Sequence, residues 1–336
     1  MHESSRVAGA DEIADDASMS PPFESIAAGR TVACVDIGGT KVAVALATQR
    51  GFVSSLREPT ATTGRNDALA RQVIRMLGQA CTQAGGEEAA LDAVGICSTG
   101  PFVRRDGMIE VVSPNVCGAL AGAGNTLDND WQSAVLERPL RERYRELRID
   151  NDGIGALVAE RRWGALQGID HCAYVTWSTG VGTGLCVDGR VLRGKAGNAG
   201  HAGHSFVNDA PQPSLCGCGN VGDVEAQVGG AALARRLGMD TARLMAAARN
   251  GDPQARAAVD HACLVLGRLL YNLVATLDLQ RVSLGGAVFL HNRELLLPKL
   301  QAQLTGRLPA LTDEALLVPA GLGLQVGEYG ALALVA

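Results

Sequence analysis

The chain has no basic surplus, no long uncharged apolar run and few aromatic residues. Thirty Lys and Arg stand against 35 Asp and Glu, a formal net charge of −5. It therefore lacks the cationic excess with which proteins neutralise nucleic-acid phosphates. No run approaches the ~18 consecutive apolar residues of a membrane-spanning helix. The first residues combine neither a basic start nor an apolar stretch, so they do not read as an export signal. Aromatics make up only 4% of the 336 residues, and there are three lysines against 27 arginines. The glycines show no three-residue period, which excludes a collagen-like chain. A hydrophobic content of 47% excludes global disorder. The nine cysteines, an odd number in a long chain without an export signal, predict a reduced cytoplasmic protein. In such a protein a cysteine cluster is read as a metal site before a disulfide.

The length allows one large or two ordinary domains with an ample core. Residues 1–30 carry six acids and two arginines, with Pro21 and Pro22 near their end. They read as a disordered acidic tail, and the remaining body is near neutral. From Thr31 an apolar run, the turn Gly38-Gly39-Thr40 and a second apolar run from Val42 to Ala47 predict strand, tight turn, strand. A helix is expected over 67–85, because Leu69, Val73, Leu77 and Cys81 recur every fourth residue. A strand over 93–97 ends at the loop Ser98-Thr99-Gly100-Pro101. The strand–glycine turn–strand pattern then returns. A strand over 173–177 precedes the turn 178–184, and a further strand covers 185–187. Between the two hairpins a helix starts near Asp152; later helices are expected over 255–279 and 326–334, with a strand at 282–284. Alternating strands and helices predict an α/β fold, and the repeated hairpin predicts two related lobes with a cleft between them.

Glycine is locally concentrated. Residues 178–230 hold thirteen of the 42 glycines, against about six or seven for an even spread. Two Gly/Ser/Thr-rich hairpins, Asp36-Ile37-Gly38-Gly39-Thr40-Lys41 and Ser178 to Gly184, expose backbone N–H groups that a polyphosphate can approach. The first is neither a P-loop nor a dinucleotide fingerprint, since a strand rather than a helix follows it. Taken alone, it is also compatible with an ordinary hairpin turn. Asn151-Asp152 before a helix can supply a general base or merely an N-cap. His204, Cys216 and Cys218 add metal-ligand chemistry.

These motifs, together with Pro114-Asn115, Gly200-His201-Ala202-Gly203-His204 and the run from Cys216 to Glu225, resemble the ROK family (repressors, open reading frames and kinases) over residues 31–336. The resemblance implies a two-lobed actin-like ATPase fold. It places a small lobe at 31–150 plus the C-terminal segment near 317–336, and a large lobe at 151–316. It implies an ATP-dependent hexose kinase that phosphorylates the 6-hydroxyl and forms homodimers or homotetramers; the charge balance and the lack of a long apolar run predict neither a nucleic-acid nor a membrane partner. Asp152 would be the general base and Asn151 a sugar contact. Asp36 would hold Mg²⁺, with Gly38, Gly39, Thr40 and Lys41 on phosphate. Ser178, Thr179, Gly180, Gly182, Thr183 and Gly184 would form the second phosphate loop, and Gly285 and Gly286 would lie beneath the adenosine. Ser98, Thr99, Gly100, Asn115, His201, His204 and Glu225 would line the sugar. The resemblance also implies a structural Zn²⁺ on His204, Cys216, Cys218 and a third cysteine, here replaced by Asp223, so zinc is either held by His, two Cys and Asp or lost. Ser98-Thr99-Gly100 and the Gly-His-x-Gly-His pattern are more similar to bacterial N-acetylmannosamine kinases than to glucokinases. A neutral His201 could pair with an acetamido carbonyl. Glucokinase, a kinase of N-acetylglucosamine, mannose or allose, and a non-catalytic sugar-responsive regulator stand as alternatives.

Overall fold

The computed structural model describes residues 22–120, 127–209 and 214–336. The expected tail is cut short. Residues 1–21 lie outside the described residues, but Pro22–Ser25 forms a short 3-10 turn. Ile26 is buried, and the Phe23 ring meets the edge of Phe52 at 5.0 Å between centroids. The acids of this stretch masked two apolar side chains that seat it on the body, so the fold begins before Thr31.

The first half runs β1 (Val32–Ile37), β2 (Lys41–Thr48), β3 (Gly51–Pro59), α1 (Ala68–Gln83), β4 (Ala93–Ser98), β5 (Phe102–Arg105), β6 (Met108–Val111), β7 (Ala134–Val135), α2 (Glu137–Arg143) and β8 (Leu147–Asn151). Then comes α3 (Asp152–Trp163). The second half runs β9 (Cys172–Trp177), β10 (Val181–Val187), β11 (Arg190–Val191), α4 (Val224–Val228), α5 (Gly230–Leu237), α6 (Thr241–Arg249), α7 (Pro253–Leu277), β12 (Arg281–Gly285), α8 (Ala287–Leu290), α9 (Arg293–Leu304), α10 (Pro309–Thr312), β13 (Leu316–Pro319) and α11 (Val326–Ala333).

Two five-stranded sheets repeat one pattern. Their orders are β3-β2-β1-β4-β8 and β11-β10-β9-β12-β13. In each, an antiparallel hairpin (β1 with β2, β9 with β10) is followed by two parallel partners. The central parallel strand β4 is buried at all six positions, as a strand covered on both faces must be. β5, β6 and β7 form a small third sheet. One core joins α1 to the first sheet and the third sheet; another joins α6, α7 and α9 to the second sheet. By length and composition alone α7 could cross a membrane, yet 50% of that stretch is buried in the second core. α3 packs on β9 and β10, and α11 packs on α3, β1 and β4, so these two helices lie between the sheets.

Candidate active site

The first sheet gathers three loops at one edge. Ile37, Ser98 and Asn151, the last residues of β1, β4 and β8, are direct register partners. The Gly38-Gly39-Thr40 turn, the Thr99-Gly100 loop and the start of α3 therefore leave the same edge side by side. Likewise Thr176 of β9 pairs with Gly285 of β12, so the Ser178–Gly180 turn and Gly286 leave the second sheet together. Carboxyl ends of parallel strands are where open α/β sheets form crevices for ligands.

The first turn is rigidly tied. Gly38 N–H donates to the Lys41 carbonyl at 2.9 Å, and Thr60 Oγ1 donates to the Gly38 carbonyl at 2.8 Å. A Cβ on Gly39 would come 2.6 Å from Cβ of Asn115, so this close approach requires glycine. Asn115 is exposed, and its Oδ1 lies about one van der Waals contact from the Cβ position of Gly217, in the loop between Cys216 and Cys218. Thr40 and Lys41 are also exposed at the turn.

Asp152 opens α3. The Asn151 side chain caps the helix by accepting from Gly153 N–H at 3.0 Å, and Asp152 Oδ1 accepts from the same group at 2.8 Å. Capping and presentation of the carboxylate are thus compatible, and the two roles weighed from sequence coexist. Asp152 is exposed at the start of α3, with protein packed densely around its carboxylate. That crowding, together with the nearby Asp36 charge, pushes it up to about 6, against the bonds from Gly153 and Asn151. Asp36 is half-buried, and burial pushes it up too, while Lys41 pulls it back.

A second group of residues meets across the cleft. A Cβ on Gly100 would lie 2.9 Å from His201 Nε2 and 3.2 Å from Asn151 Nδ2. His201 Nδ1 lies 3.1 Å from the Asn198 carbonyl, which can only accept. Burial holds the ring below the usual imidazole range, hence neutral with its proton on Nδ1. This corrects the expected pairing. Nε2 carries a lone pair and accepts from an N–H or O–H; it does not donate to an acetamido carbonyl. Ser98 also differs from expectation. Its side chain is fully buried, and its carbonyl accepts from Asn151 Nδ2 at 3.4 Å, so it orients Asn151 rather than lining the cleft.

The second glycine loop is shorter than its sequence suggests. The turn is Ser178-Thr179-Gly180, and β10 begins at Val181. Gly182, Thr183 and Gly184 lie in that strand rather than in the turn itself. Thr183 is buried, and both its hydroxyl and its N–H bond the Gly200 carbonyl. Gly184 is needed because a Cβ there would strike the Gly153 carbonyl and Leu157 of α3. Gly184 of this strand and Gly153 of α3 bring the helix onto the sheet, a packing demand that composition cannot separate from a phosphate cradle. The turn is held by Glu225, whose Oε2 accepts from Val181 N–H at 2.8 Å. One of its oxygens is therefore occupied within the protein. Gly285 packs on Tyr174, and Gly286 adopts φ +85° before α8.

His204, Cys216, Cys218 and Asp223 bring one ligand atom each within 4.8 Å of one another. His204 Nδ1 lies 3.2 Å from Asp223 Oδ2, 3.5 Å from Cys218 Sγ and 3.7 Å from Cys216 Sγ; Cys218 Sγ lies 3.7 Å from Asp223 Oδ2. Zinc bonds of about 2.0–2.3 Å at tetrahedral angles give edges of about 3.3–3.8 Å. These four donor–donor distances are close to such edges, and the other two are within 4.8 Å. Without an ion, burial pushes the Cys216 thiol up, and the Asp223 bond pulls His204 up. Burial alone would raise Asp223, but His204, Ala226 N–H and Asn220 hold it below the usual carboxylate range. Asp223 is fully buried and also caps α4 through Ala226 N–H at 2.7 Å.

Two structural groups escaped the sequence reading. Glu160 is fully buried in α3 and accepts from Ala165, Gly321 and Leu322 N–H and from Ser283 Oγ, tying α3 to β12 and to the segment after β13. Asn198 bonds Phe102 across 96 residues of sequence. Neither contact has a local motif.

Comparison with known proteins agrees with this geometry. The chain is 29% identical over 326 residues to a glucokinase of Aeropyrum pernix, covering 90% of this chain and 96% of that one. It is 33% identical over 281 residues to an N-acetylmannosamine kinase of Shigella boydii, covering 80% and 87%. The crystal structure of ROK hexokinase from Thermus thermophilus superposes with a TM-score of 0.68 at 30% identity, covering 90% of this chain and 97% of that one. The ROK family itself matches residues 32–336, and with two repeated sheets closing on one cleft the chain belongs to that family of sugar kinases.

Proposed function

We propose that this chain transfers the γ-phosphoryl group of ATP to the 6-hydroxyl of a hexose, with N-acetylmannosamine as the preferred acceptor. The observation that carries this reading is Asp152. It is a carboxylate at the cleft floor, tuned to about 6, beside a second carboxylate and between two backbone-lined turns. A base tuned near working pH accepts the hydroxyl proton as the oxygen attacks phosphorus. Phosphoryl transfer otherwise needs positioning and charge neutralisation, which suits a site rich in N–H donors and poor in nucleophiles.

In this reading Asn151, Thr99, Gly100, His201 and Glu225 hold the sugar, and Asn115 closes over it from the first turn. Gly38, Gly39, Thr40 and Lys41 face Ser178, Thr179 and Gly180 across the triphosphate, with Gly285 and Gly286 under the nucleoside. Asp36 supplies the hard oxygen that suits Mg²⁺, which would neutralise phosphate charge. His204, Cys216, Cys218 and Asp223 would hold Zn²⁺ as a structural closure of the loop that carries Glu225. Asp223 serves as the fourth ligand in place of a thiolate. The Nε2 acceptor of His201 supports an acetamido sugar, whose N–H is a donor. The relatives named N-acetylmannosamine kinase point the same way. A sugar hydroxyl also donates to Nε2, which keeps glucokinase as the second reading alongside the glucokinase relative.

Purified protein with ATP, Mg²⁺ and N-acetylmannosamine, N-acetylglucosamine, glucose or mannose tests the reading by ADP release. The highest kcat/KM is expected on N-acetylmannosamine. A preference for glucose would transfer the assignment to the second reading, and no turnover with any sugar would remove both.

A further inference from the structure

We infer that Asn198 is a positioning residue that pins the sugar loop of one lobe to the sugar loop of the other, so that sugar affinity depends on it while nucleotide affinity does not. This rests on the sugar-kinase reading above.

The segment from 192 to 204 leaves the second sheet after β11 and ends in the short 3-10 turn Ala202–His204. Its own lobe holds it through Thr183 and Gly200. Asn198 reaches the other lobe. Its Oδ1 accepts from Phe102 N–H at 2.7 Å, and its Nδ2 donates to the Phe102 carbonyl at 2.8 Å. The side-chain amide thereby imitates a strand neighbour for the first residue of β5. Among uncharged side chains, only an amide offers both a donor and an acceptor of this shape. A Cβ on Gly197 would lie 3.3 Å from the Phe102 ring, so the loop is pressed against the strand.

Both ends of this pin are near the sugar residues. Phe102 lies two residues after Gly100, which meets His201 Nε2. The Asn198 carbonyl fixes the proton on His201 Nδ1. A second bond supports the same loop. Arg193 forks onto Asp150 at 2.8 and 3.0 Å, immediately before Asn151-Asp152. Arg193 is half-exposed, so this pair contributes less than the amide pin. The phosphate turns have separate supports: Thr60 and Lys41 for the first, Glu225 and α5 for the second.

Asn198→Ala and Asn198→Asp, with the wild type, should be assayed in steady state against N-acetylmannosamine and ATP, and by calorimetric sugar binding without ATP. Asn198→Ala is expected to raise the sugar KM and Kd about tenfold, the scale of one lost hydrogen-bonded group, with the ATP KM within about twofold. Asn198→Asp keeps an acceptor for Phe102 N–H but turns a carboxylate toward its carbonyl. It should shift the sugar parameters in the same direction and carries the test if the alanine variant does not fold. A merely structural role would lower the active fraction and Vmax without moving the sugar KM. A sugar KM within about twofold of wild type, or an ATP KM that rises in parallel, overturns the inference. A wild type that binds sugar without phosphorylating it would overturn the kinase reading instead, and the calorimetric comparison would still decide the role of Asn198.

Discussion

The pH dependence of kcat/KM for the sugar follows from the position of Asp152. An ordinary aspartate titrates near 3.9. Burial in the cleft floor and the neighbouring Asp36 charge push Asp152 up to about 6. The sign follows from chemistry: only the ionised form can accept the hydroxyl proton, so activity is lost as pH falls through the folded-state value. With a midpoint near 6, about 90% of the base is ionised at pH 7 and about 10% at pH 5, a roughly tenfold fall in kcat/KM. An unperturbed aspartate would lose less than about a tenth over the same interval. Because kcat/KM reports the free enzyme, Asp152 can also be followed directly. Carboxyl-carbon NMR of labelled aspartate, assigned by comparison with Asp152→Asn, should show a midpoint near 6. Asp36→Asn should lower that midpoint, since it removes one of the three raising influences (burial, Asp36 and Glu225), but not restore it to 3.9, since burial remains. The NMR arm separates Asp152 from ATP, which is absent. A carboxyl midpoint near 4, or one that does not move in Asp36→Asn, would refute the electrostatic account of the site.

The remaining expectations concern metal, specificity and scaffold. Protein purified without chelators should carry one zinc per chain by metal analysis. Asp223→Asn, which keeps an acceptor for the Ala226 N–H cap but loses the ligand charge, should weaken zinc retention about 10- to 100-fold; zinc bound equally well in that variant would remove Asp223 from the ligand set. Replacing His201 by Ala should lower the kcat/KM ratio of N-acetylmannosamine over mannose by at least about tenfold, since an acceptor matched to the acetamido N–H is removed; an unchanged ratio would show that His201 does not read that group. Glu160→Ala would leave three backbone N–H groups and a serine hydroxyl without their shared acceptor. It should cost about 3–5 kcal/mol, read as a lower urea midpoint with loss of soluble protein, and an unchanged midpoint would contradict the anchoring role.

The repeated strand–turn–strand pattern made the two-lobed architecture legible, because a buried parallel sheet writes itself as short apolar runs ending in glycine. The four-residue periodicity of Leu69, Val73, Leu77 and Cys81 likewise marked α1, which runs from Ala68 to Gln83. Ligand-type residues brought together by loops, such as His204 with Cys216 and Cys218, were visible as short motifs. Glycine was less informative than its abundance suggested. Gly184 carries no Cβ because α3 crosses there, and the sequence offers nothing to tell that demand from phosphate binding. Burial was also hidden. Ser98 and Thr183 are polar residues beside glycines, yet both point into the protein. The anchoring by Glu160 and the reach of Asn198 to Phe102 depend on contacts between segments distant in sequence, and the tautomer of His201 on the local turn that aims the Asn198 carbonyl at its ring.

The central claim is that the cleft performs phosphoryl transfer with Asp152 as its base. Asp152→Asn tests it most directly, because the substitution keeps the shape and the helix N-terminus while removing the basic oxygen. Calorimetric sugar binding and ATP-dependent formation of the sugar 6-phosphate should be measured on the same preparation of wild type and variant. Sugar binding within a few-fold of wild type, with turnover reduced about 10²- to 10⁴-fold, is the predicted result. Turnover close to wild type would contradict the account.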